Sequence, residues 1–143
     1  MKRFVKISFV MAICFIVAII AGRVKAAETE GELHLSISEA VLATGVEDRV
    51  PISAGDTFEE GSRVYFFTWV AGGKVGDHIT HVWIREEVEK FRINLDIGGP
   101  SWRTWSYKTM HPGSVGNWEV EARDEEGNVL ETLSFECTPR APQ

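Results

Sequence analysis

The densest group of side chains that could make specific contacts lies between Ser101 and Tyr107, in the run SWRTWSY. Tryptophan and tyrosine bring large rigid apolar surfaces, and arginine brings a planar cation with several hydrogen-bond donors. These residue types concentrate binding free energy in protein interfaces. Because alternate side chains of a strand point to opposite faces, we predict that Arg103, Trp105 and Tyr107 form an outward binding face while Trp102 turns into the core.

A structural role is the alternative for the same run. One tryptophan would fill the core, and the other would pack against a guanidinium as a cation–π pair. The sequence leaves this alternative open, since aromatic residues in strands most often serve packing.

His78 and His81 are the two histidines closest together in the sequence. Side chains three apart on a strand point to opposite faces, and no cysteine lies near them, so the pattern predicts no metal site. We expect His81 to be a half-buried imidazole that donates and accepts hydrogen bonds near Trp83 or Arg103. His81 also counts among the candidate residues of the binding face, where a pH-sensitive role is the alternative.

The sequence contains none of the common catalytic patterns. It has no Gly-x-Ser-x-Gly elbow, no phosphate-binding loop, and no nucleophilic cysteine with a matched histidine. Its paired carboxylates, such as Glu59-Glu60 and Glu86-Glu87, lie in turn-like segments and serve most simply as solubilising groups. The sequence therefore predicts a protein that is not an enzyme and needs no cofactor.

Residues 1–26 form a predicted secretory signal peptide. Basic residues at Lys2, Arg3 and Lys6 precede an apolar run from Ile7 to Ala21. An uncleaved anchor helix is the alternative because two further basic residues follow the run, although the run is shorter than the roughly 20 residues of a spanning helix. We predict cleavage after residue 26 and export to the periplasm or another extracytoplasmic compartment, with a flexible acidic spacer over residues 27–31. Only one cysteine then remains, so no intramolecular disulfide can form.

Removal of the leader makes the chain strongly acidic. The whole sequence has 15 Lys and Arg and 21 Asp and Glu, and five of the basic residues lie in the leader. Residues 27–143 therefore carry 10 basic and 21 acidic side chains, a net charge of −11. Such a surface repels phosphate groups, which excludes nucleic acid as a partner and leaves the membrane as a partner only through an uncleaved leader.

Short segments of apolar character fill the rest of the chain. Apolar and polar residues alternate over Leu33–Ile37, Phe91–Leu95 and Trp118–Ala122, which predicts half-buried strands. The segment Arg63–Val70 is apolar on both faces, as is typical of a central strand covered on each side. The turn at Asp124–Asn128 joins the last two strands into a predicted hairpin.

These segments predict an all-β, immunoglobulin-like β-sandwich of about seven strands over residues 32–138, followed by a tail over residues 139–143. Residues 50–58 carry Pro51 and Gly55 and are predicted to be mostly loop with one short edge strand. The predicted core consists of the inward positions Val64, Phe66, Val82, Phe91, Ile93, Leu95, Trp118, Val120, Leu133 and Phe135.

Four aromatic motifs follow one another along the chain: FTW at 67–69, HVW at 81–83, WRTWS at 102–106 and GNWEV at 116–120. In this order they resemble a bacterial envelope family catalogued as domain of unknown function 2914, over roughly Leu33 to Phe135. The resemblance implies a small all-β extracytoplasmic module with no established catalytic residues.

The sequence thus favours an exported, non-catalytic module that binds another envelope protein. The alternative is a carbohydrate-binding module that uses Trp102 or Trp105 as a stacking platform. The exposure of the tryptophan rings separates the two hypotheses, because a glycan needs an open ring face.

Overall fold

The computed structural model describes residues 34–142. The predicted signal peptide or anchor helix, its cleavage site and the acidic spacer lie outside the described residues, as does residue 143. Within the described range the chain forms nine β-strands, and no helix there could cross a membrane.

The strands are β1 (Ser36–Glu47), β2 (Val50–Ala54), β3 (Thr57–Glu59), β4 (Arg63–Ala71), β5 (His78–Arg85), β6 (Val88–Asp96), β7 (Ser101–Thr109), β8 (Gly116–Arg123) and β9 (Val129–Thr138). They form a four-stranded sheet in the order β2-β1-β4-β7 and a five-stranded sheet in the order β3-β9-β8-β5-β6. Neighbouring strands are antiparallel except β3 and β9, which are parallel. The predicted all-β class, with two packed sheets, is confirmed.

One apolar core lies between the two sheets. It contains side chains from both sheets, such as Phe66 and Val70 of β4 and Trp83 of β5, all of them fully buried. Trp118 and Phe135 stack with ring centroids 6.0 Å apart and an interplanar angle of 10°. Of the predicted core residues, six are buried, and they are Val64, Phe66, Val82, Trp118, Val120 and Phe135.

Two of the core predictions are wrong, and two others hold only in part. Phe91 and Ile93 are 38% and 37% exposed. Both belong to β6, the last strand of the five-stranded sheet, so they lie at the rim of the sandwich although they share a face with their buried partners on β5. Leu95 and Leu133 are half-buried against the core.

The structure has nine strands where the sequence predicts about seven. The difference comes mainly from residues 50–58, which we predicted to be mostly loop. This segment supplies β2 and most of β3, two short strands that each lie at the edge of a sheet.

The predicted hairpin between β8 and β9 is confirmed, and Asp124 holds its turn. One oxygen of the Asp124 carboxylate accepts hydrogen bonds from the backbone N–H groups of Glu126 and Asn128, at 3.0 and 2.8 Å. The side-chain amide of Asn128, followed by these backbone donors, lowers the pKa of Asp124. The carboxylate therefore acts as a structural acceptor within the turn.

Candidate binding face

The pairing of β4 with β7 brings six side chains together on the outer surface of the four-stranded sheet. The two strands pair without a shift over nine consecutive positions. Directly opposed residues of an antiparallel pair project to the same side of a sheet. The pairs Tyr65–Tyr107, Phe67–Trp105 and Trp69–Arg103 therefore form one surface, which we call the aromatic face and define as Tyr65, Phe67, Trp69, Arg103, Trp105 and Tyr107.

Two arginines lie over rings at opposite ends of the aromatic face. The guanidinium carbon of Arg103 lies 4.1 Å from the centroid of the Trp69 ring. At the other end, the guanidinium carbon of Arg63 lies 4.6 Å from the centroid of the Tyr107 ring. Cation–π contacts of this kind stabilise by about 0.5–1 kcal/mol at exposed sites. They favour one position for each guanidinium group.

The rings between the two arginines contact one another across the strands. Phe67 and Trp105 are nearly parallel, with centroids 6.4 Å apart and an interplanar angle of 16°. Tyr65 and Tyr107 lie closer, at 5.3 Å, with an angle of 39°. Phe67 is buried, whereas Tyr107 is 49% exposed and the remaining face residues are half-buried. The face is therefore a packed surface with its outer atoms open to contact.

The structure places three of the five predicted contact residues on this face. Arg103, Trp105 and Tyr107 share it, as their alternation along β7 predicted. Trp102 and His81 do not join them. Trp102 lies on the opposite side of β7, and His81 lies between the two sheets.

Trp102 packs against the core, which confirms its predicted inward orientation. Its ring lies against Gly98, where an added Cβ would stand only 2.5 Å from the ring atom Cη2. The guanidinium carbon of Arg49 lies 5.8 Å from the ring centroid. Trp102 therefore anchors the start of β7, and glycine is required at position 98 for this packing.

His81 is fully buried and not half-buried as predicted, so it cannot contribute to a surface contact. Its Nδ1 lies 2.8 Å from Oγ of Ser106, and its Nε2 lies 3.2 Å from Oγ1 of Thr68. The Trp83 indole N–H donates to Ser106 at 3.2 Å, and the Thr68 hydroxyl donates to the carbonyl of Thr104 at 3.1 Å.

A neutral imidazole protonated at Nε2 satisfies this whole chain of donors and acceptors. The Ser106 hydroxyl then donates to Nδ1, and Nε2–H donates to the Thr68 oxygen. Burial lowers the pKa of His81 to about 3, which keeps the ring neutral. The network joins β4, β5 and β7 and so fixes the two strands that carry the aromatic face.

The charges near the aromatic face differ in sign from those of the chain as a whole. Neither β4 nor β7 contains an aspartate or glutamate, and together they carry Arg63, Arg103 and Lys108. The neighbouring strand β1 contributes an acidic residue, Glu39, which is paired with Trp69. Lys108 lies on the opposite side of β7, whereas Glu39 projects to the same side as Trp69. Arg63, Arg103 and Glu39 together give this side of the sheet a small positive charge, on a protein whose residues 27–143 have a net charge of −11.

Our sequence prediction of the site missed the contribution of β4. Tyr65 and Phe67 were not among the candidates, and Trp69 entered only through the family motif. Strict alternation separates the outward Tyr65, Phe67 and Trp69 from the inward Val64 and Phe66. That signal was present in the sequence, but the apolar character of both faces concealed it.

Another concave region lies at one end of the sandwich. It is an open cavity of about 400 Å³ lined by residues that include Gly73, Lys74, Asp77 and the turn 124–126, and it contains none of the predicted site residues. Some of its polar groups contact one another, as where the backbone N–H of Lys74 donates to the Asp77 carboxylate at 3.0 Å. Within residues 34–142, no cluster of three or more histidine, cysteine or acidic side chains is arranged to hold a metal ion.

Comparison with known proteins confirms the resemblance to domain of unknown function 2914 over the C-terminal part of the predicted span. Residues 76–137 match the model of a family described as "Protein of unknown function (DUF2914)". The match runs from just before β5 to near the end of β9 and includes three of the four aromatic motifs. No curated protein matches the chain.

Solved structures show the fold. An immunoglobulin-like protein from Pseudomonas aeruginosa matches with a TM-score of 0.55 and 10% identity, over 76% of this chain and 99% of that one. The alkylpurine DNA glycosylase AlkC from Pseudomonas fluorescens, in a complex with DNA, matches with a TM-score of 0.50 and 8% identity, over 72% of this chain and 30% of that one. The first of these structures supports the predicted immunoglobulin-like fold, and at such low identities neither indicates a function.

Proposed function

We propose that this chain is an exported, non-catalytic β-sandwich module that binds another envelope protein through its aromatic face. The observation that carries the proposal is the joint placement of Arg103, Trp105 and Tyr107 on the outer surface of the four-stranded sheet, away from the core. The neighbouring strand extends this surface with Tyr65, Phe67 and Trp69, so the residues best suited to an interface form one continuous patch.

The order of the face favours binding. Association carries a free-energy cost of about 0.5–1.5 kcal/mol for each flexible side chain that becomes immobilised. Arg63 and Arg103 are already held against rings in the free protein, and Phe67 supports Trp105 from the next strand. A partner would therefore meet donors and apolar surfaces that are largely preorganised.

A protein partner fits the face better than a glycan. A stacked sugar needs one face of an aromatic ring to be open. Arg103 covers a face of Trp69, and Trp102 packs against the core. Of the rings named in the carbohydrate hypothesis, Trp105 alone remains on the outer surface, so that hypothesis depends on this one ring.

Affinity capture from the native envelope, followed by mass spectrometry, tests the proposal. The parent protein is compared with the double variant Arg103→Ala/Trp105→Ala and with Arg123→Ala. Arg123 lies on β8 of the other sheet, so this control loses one positive charge far from the aromatic face. We expect the double variant to melt near the temperature of the parent and to lose the partner, and the control to retain it.

Two outcomes would contradict the proposal. The double variant could capture the same partner as the parent, or the parent could bind an oligosaccharide through Trp105 in a direct binding assay. A double variant that fails to fold would show the motif to be architectural. The milder pair Arg103→Ala/Tyr107→Ala then tests binding, since Tyr107 is the most exposed ring of the face.

Export has a separate test. We expect protein from the native envelope to begin at Ala27 when its N-terminus is sequenced. An intact Met1 on membrane-bound protein would instead support the anchored alternative.

A further inference from the structure

The four edges of the two sheets differ in how well they are protected against added strands. An edge strand has unpaired backbone groups, and native proteins protect it by shortness, proline, bulges or charged side chains. β2 has five residues and contains Pro51 together with Ser53 in a left-handed conformation, at φ 52°. β3 has three residues. The pairing of β6 with β5 contains a register shift, and β6 carries the ion pair between Arg92 and Glu89.

Of these protections β7 has only charge, from Arg103 and Lys108, which opposes another basic strand but not an acidic one. It is nine residues long, contains no proline, and pairs with β4 in unbroken register from Ser101 to Thr109. Among the described residues, no strand pairs with its other side. β7 is therefore a regular edge that could accept another strand.

The phase of the β4–β7 ladder shows which backbone groups face that edge. Directly opposed residues in an antiparallel pair alternately exchange both hydrogen bonds or none. Just beyond the two ends of the ladder, Gly72 N–H donates to the carbonyl of Pro100, and Met110 N–H donates to the carbonyl of Ser62, both at 2.9 Å. Counting inward by twos, the even-numbered residues of β7 are bonded to β4.

It follows that Arg103, Trp105 and Tyr107 direct their backbone N–H and C=O groups away from β4, toward the free edge. These are the same residues whose side chains form half of the aromatic face. An added strand would therefore be bonded by the backbone of the residues that also supply the side-chain contacts.

The charge around this edge is basic. β7 carries Arg103 and Lys108 and no acidic residue. Lys108 reaches toward β6, where its Nζ lies 5.9 Å from the centroid of the Phe91 ring. β6 adds no net charge, because Lys90 and Arg92 are balanced by Glu89 and Asp96. On a chain of net negative charge, a partner that carries carboxylates would meet attraction mainly here.

From these observations we infer that the free edge of β7 accepts an extended, acidic segment of the partner protein as an additional strand of the four-stranded sheet. The inference rests on the proposed binding function and specifies the chemistry of the partner. Backbone hydrogen bonds would give affinity, as in other cases of strand addition. Carboxylates at alternate positions would face Arg103 on one side of the sheet or Lys108 on the other, and so set the register.

A second copy of this chain fits the edge less well than an acidic segment. Pairing of β7 with its own copy would bring together two strands that each carry Arg103 and Lys108 and no carboxylate. An acidic strand neutralises the same charges.

The experiment uses two substitutions at Tyr107 and a defined probe. Tyr107→Ala removes the ring, whereas Tyr107→Pro removes the ring and the backbone N–H that faces the free edge. Proline is tolerated where an edge N–H points to solvent, so both variants should fold, which their melting curves check. The probe is a capped nine-residue peptide in which glutamate alternates with valine, and its matched control carries lysine in place of glutamate.

Binding is measured by amide chemical shifts and amide hydrogen exchange with peptide up to millimolar concentration. We expect the acidic peptide to slow exchange at the amides of Arg103, Trp105 and Tyr107 in the parent. The lysine peptide should leave these amides unchanged. Tyr107→Pro should bind the acidic peptide about tenfold more weakly than Tyr107→Ala, because one backbone hydrogen bond is lost.

Equal affinities of the two Tyr107 variants would overturn the inference, as would tighter binding of the lysine peptide or unperturbed β7 amides at millimolar acidic peptide. A concentration-dependent dimer of the free protein, protected along β7, would assign the edge to a second copy instead. The capture experiment with Arg103→Ala/Trp105→Ala is independent of these results. If that variant loses its partner while the two Tyr107 variants bind alike, strand addition is wrong and the proposed binding function stands.

Discussion

His81 is the residue whose chemistry is most tightly coupled to the fold. The imidazole can accept from Ser106 and donate to Thr68 only while one of its nitrogens is unprotonated. A second proton would set two donors against each other inside the core and leave a buried charge without a counter-ion. Above a pH of about 3, the folded state therefore keeps His81 neutral, and protonation of the ring accompanies unfolding.

We predict that the free energy of unfolding falls as the pH decreases below about 6.5, the ordinary pKa of histidine. In the folded protein the pKa of His81 is lowered to about 3, so between these values the unfolded state binds a proton that the folded state does not. This one group should cost about 2 kcal/mol between pH 8 and pH 5. Urea titrations at several pH values measure the loss.

The variant His81→Gln provides the control for that prediction. Its amide can also accept from Ser106 and donate to Thr68, but it does not titrate. The difference in unfolding free energy between parent and variant should shrink as the pH falls from 8 to 5. A difference that stays constant over this range would show that His81 does not cause the acid sensitivity.

Gly98 offers a second prediction at the scale of single residues. A methyl group at this position would stand 2.5 Å from the Trp102 ring, whereas a methyl group at Gly99 meets no atom within 4 Å. We expect Gly98→Ala to lower the unfolding free energy by about 1–3 kcal/mol, the range for overpacking, and Gly99→Ala to change it little. Thermal melts compare the two variants, and equal melting temperatures would contradict the packing described for Trp102.

At the scale of strands, alternation of apolar and polar residues predicted the orientation of side chains better than the position of each strand in its sheet. It correctly placed Arg103, Trp105 and Tyr107 on one side of β7 and Trp102 on the other. It failed at Phe91, because alternation shows which side of a strand is apolar but not whether that strand lies at the centre of a sheet or at its rim.

The same limit explains what was missed on β4. The segment is apolar on both faces, and we expected a cover on each side. In the structure Val64 and Phe66 face the core, whereas Tyr65 and Phe67 face outward and are covered by side chains of β7 such as Trp105. An apolar outer side of a strand can be covered by a second layer of structure or by side chains of the neighbouring strand in the same sheet. Which of the two occurs depends on the identity of that neighbouring strand. A single strand pattern does not contain that information.

Trp118 on β8 gives the prediction that belongs to this scale. The ring is 2% exposed, stacks on Phe135 of the neighbouring strand, and donates its indole N–H to the carbonyl of Ser114 at 2.8 Å. Trp118→Ala should lower the unfolding free energy by roughly 3–5 kcal/mol, which is a large part of the stability of a small domain. Tyr107→Ala, at an exposed ring, is the matched control and should cost far less. A Trp118→Ala protein that melts within a few degrees of the parent would contradict the assignment of this core.

At the scale of the whole molecule, charge is the property that divides one surface from the rest. The chain beyond residue 26 has 21 acidic side chains, yet β4 and β7 contain none of them. β4 and β7 are separated in the sequence, but they pair in the folded protein. Their pairing therefore creates a continuous region of two strands without acidic side chains. Repulsion by the acidic surroundings and attraction at one basic patch would together orient an acidic partner before contact.

The last prediction concerns the effect of salt on association with the partner recovered by capture. Screening shortens the reach of charges from about 10 Å at 0.1 M salt to about 3 Å at 1 M. The association rate should therefore fall several-fold over this range, whereas the dissociation rate, which depends on apolar contacts and hydrogen bonds already formed, should change much less. Surface plasmon resonance at a series of salt concentrations measures both rates. Arg103→Ala should flatten the dependence on salt because it removes a positive charge from the face. Arg123→Ala on the opposite sheet should change the dependence much less. An association rate that rises with salt would mean that the net negative charge of the chain, and not its basic face, governs the approach of the partner.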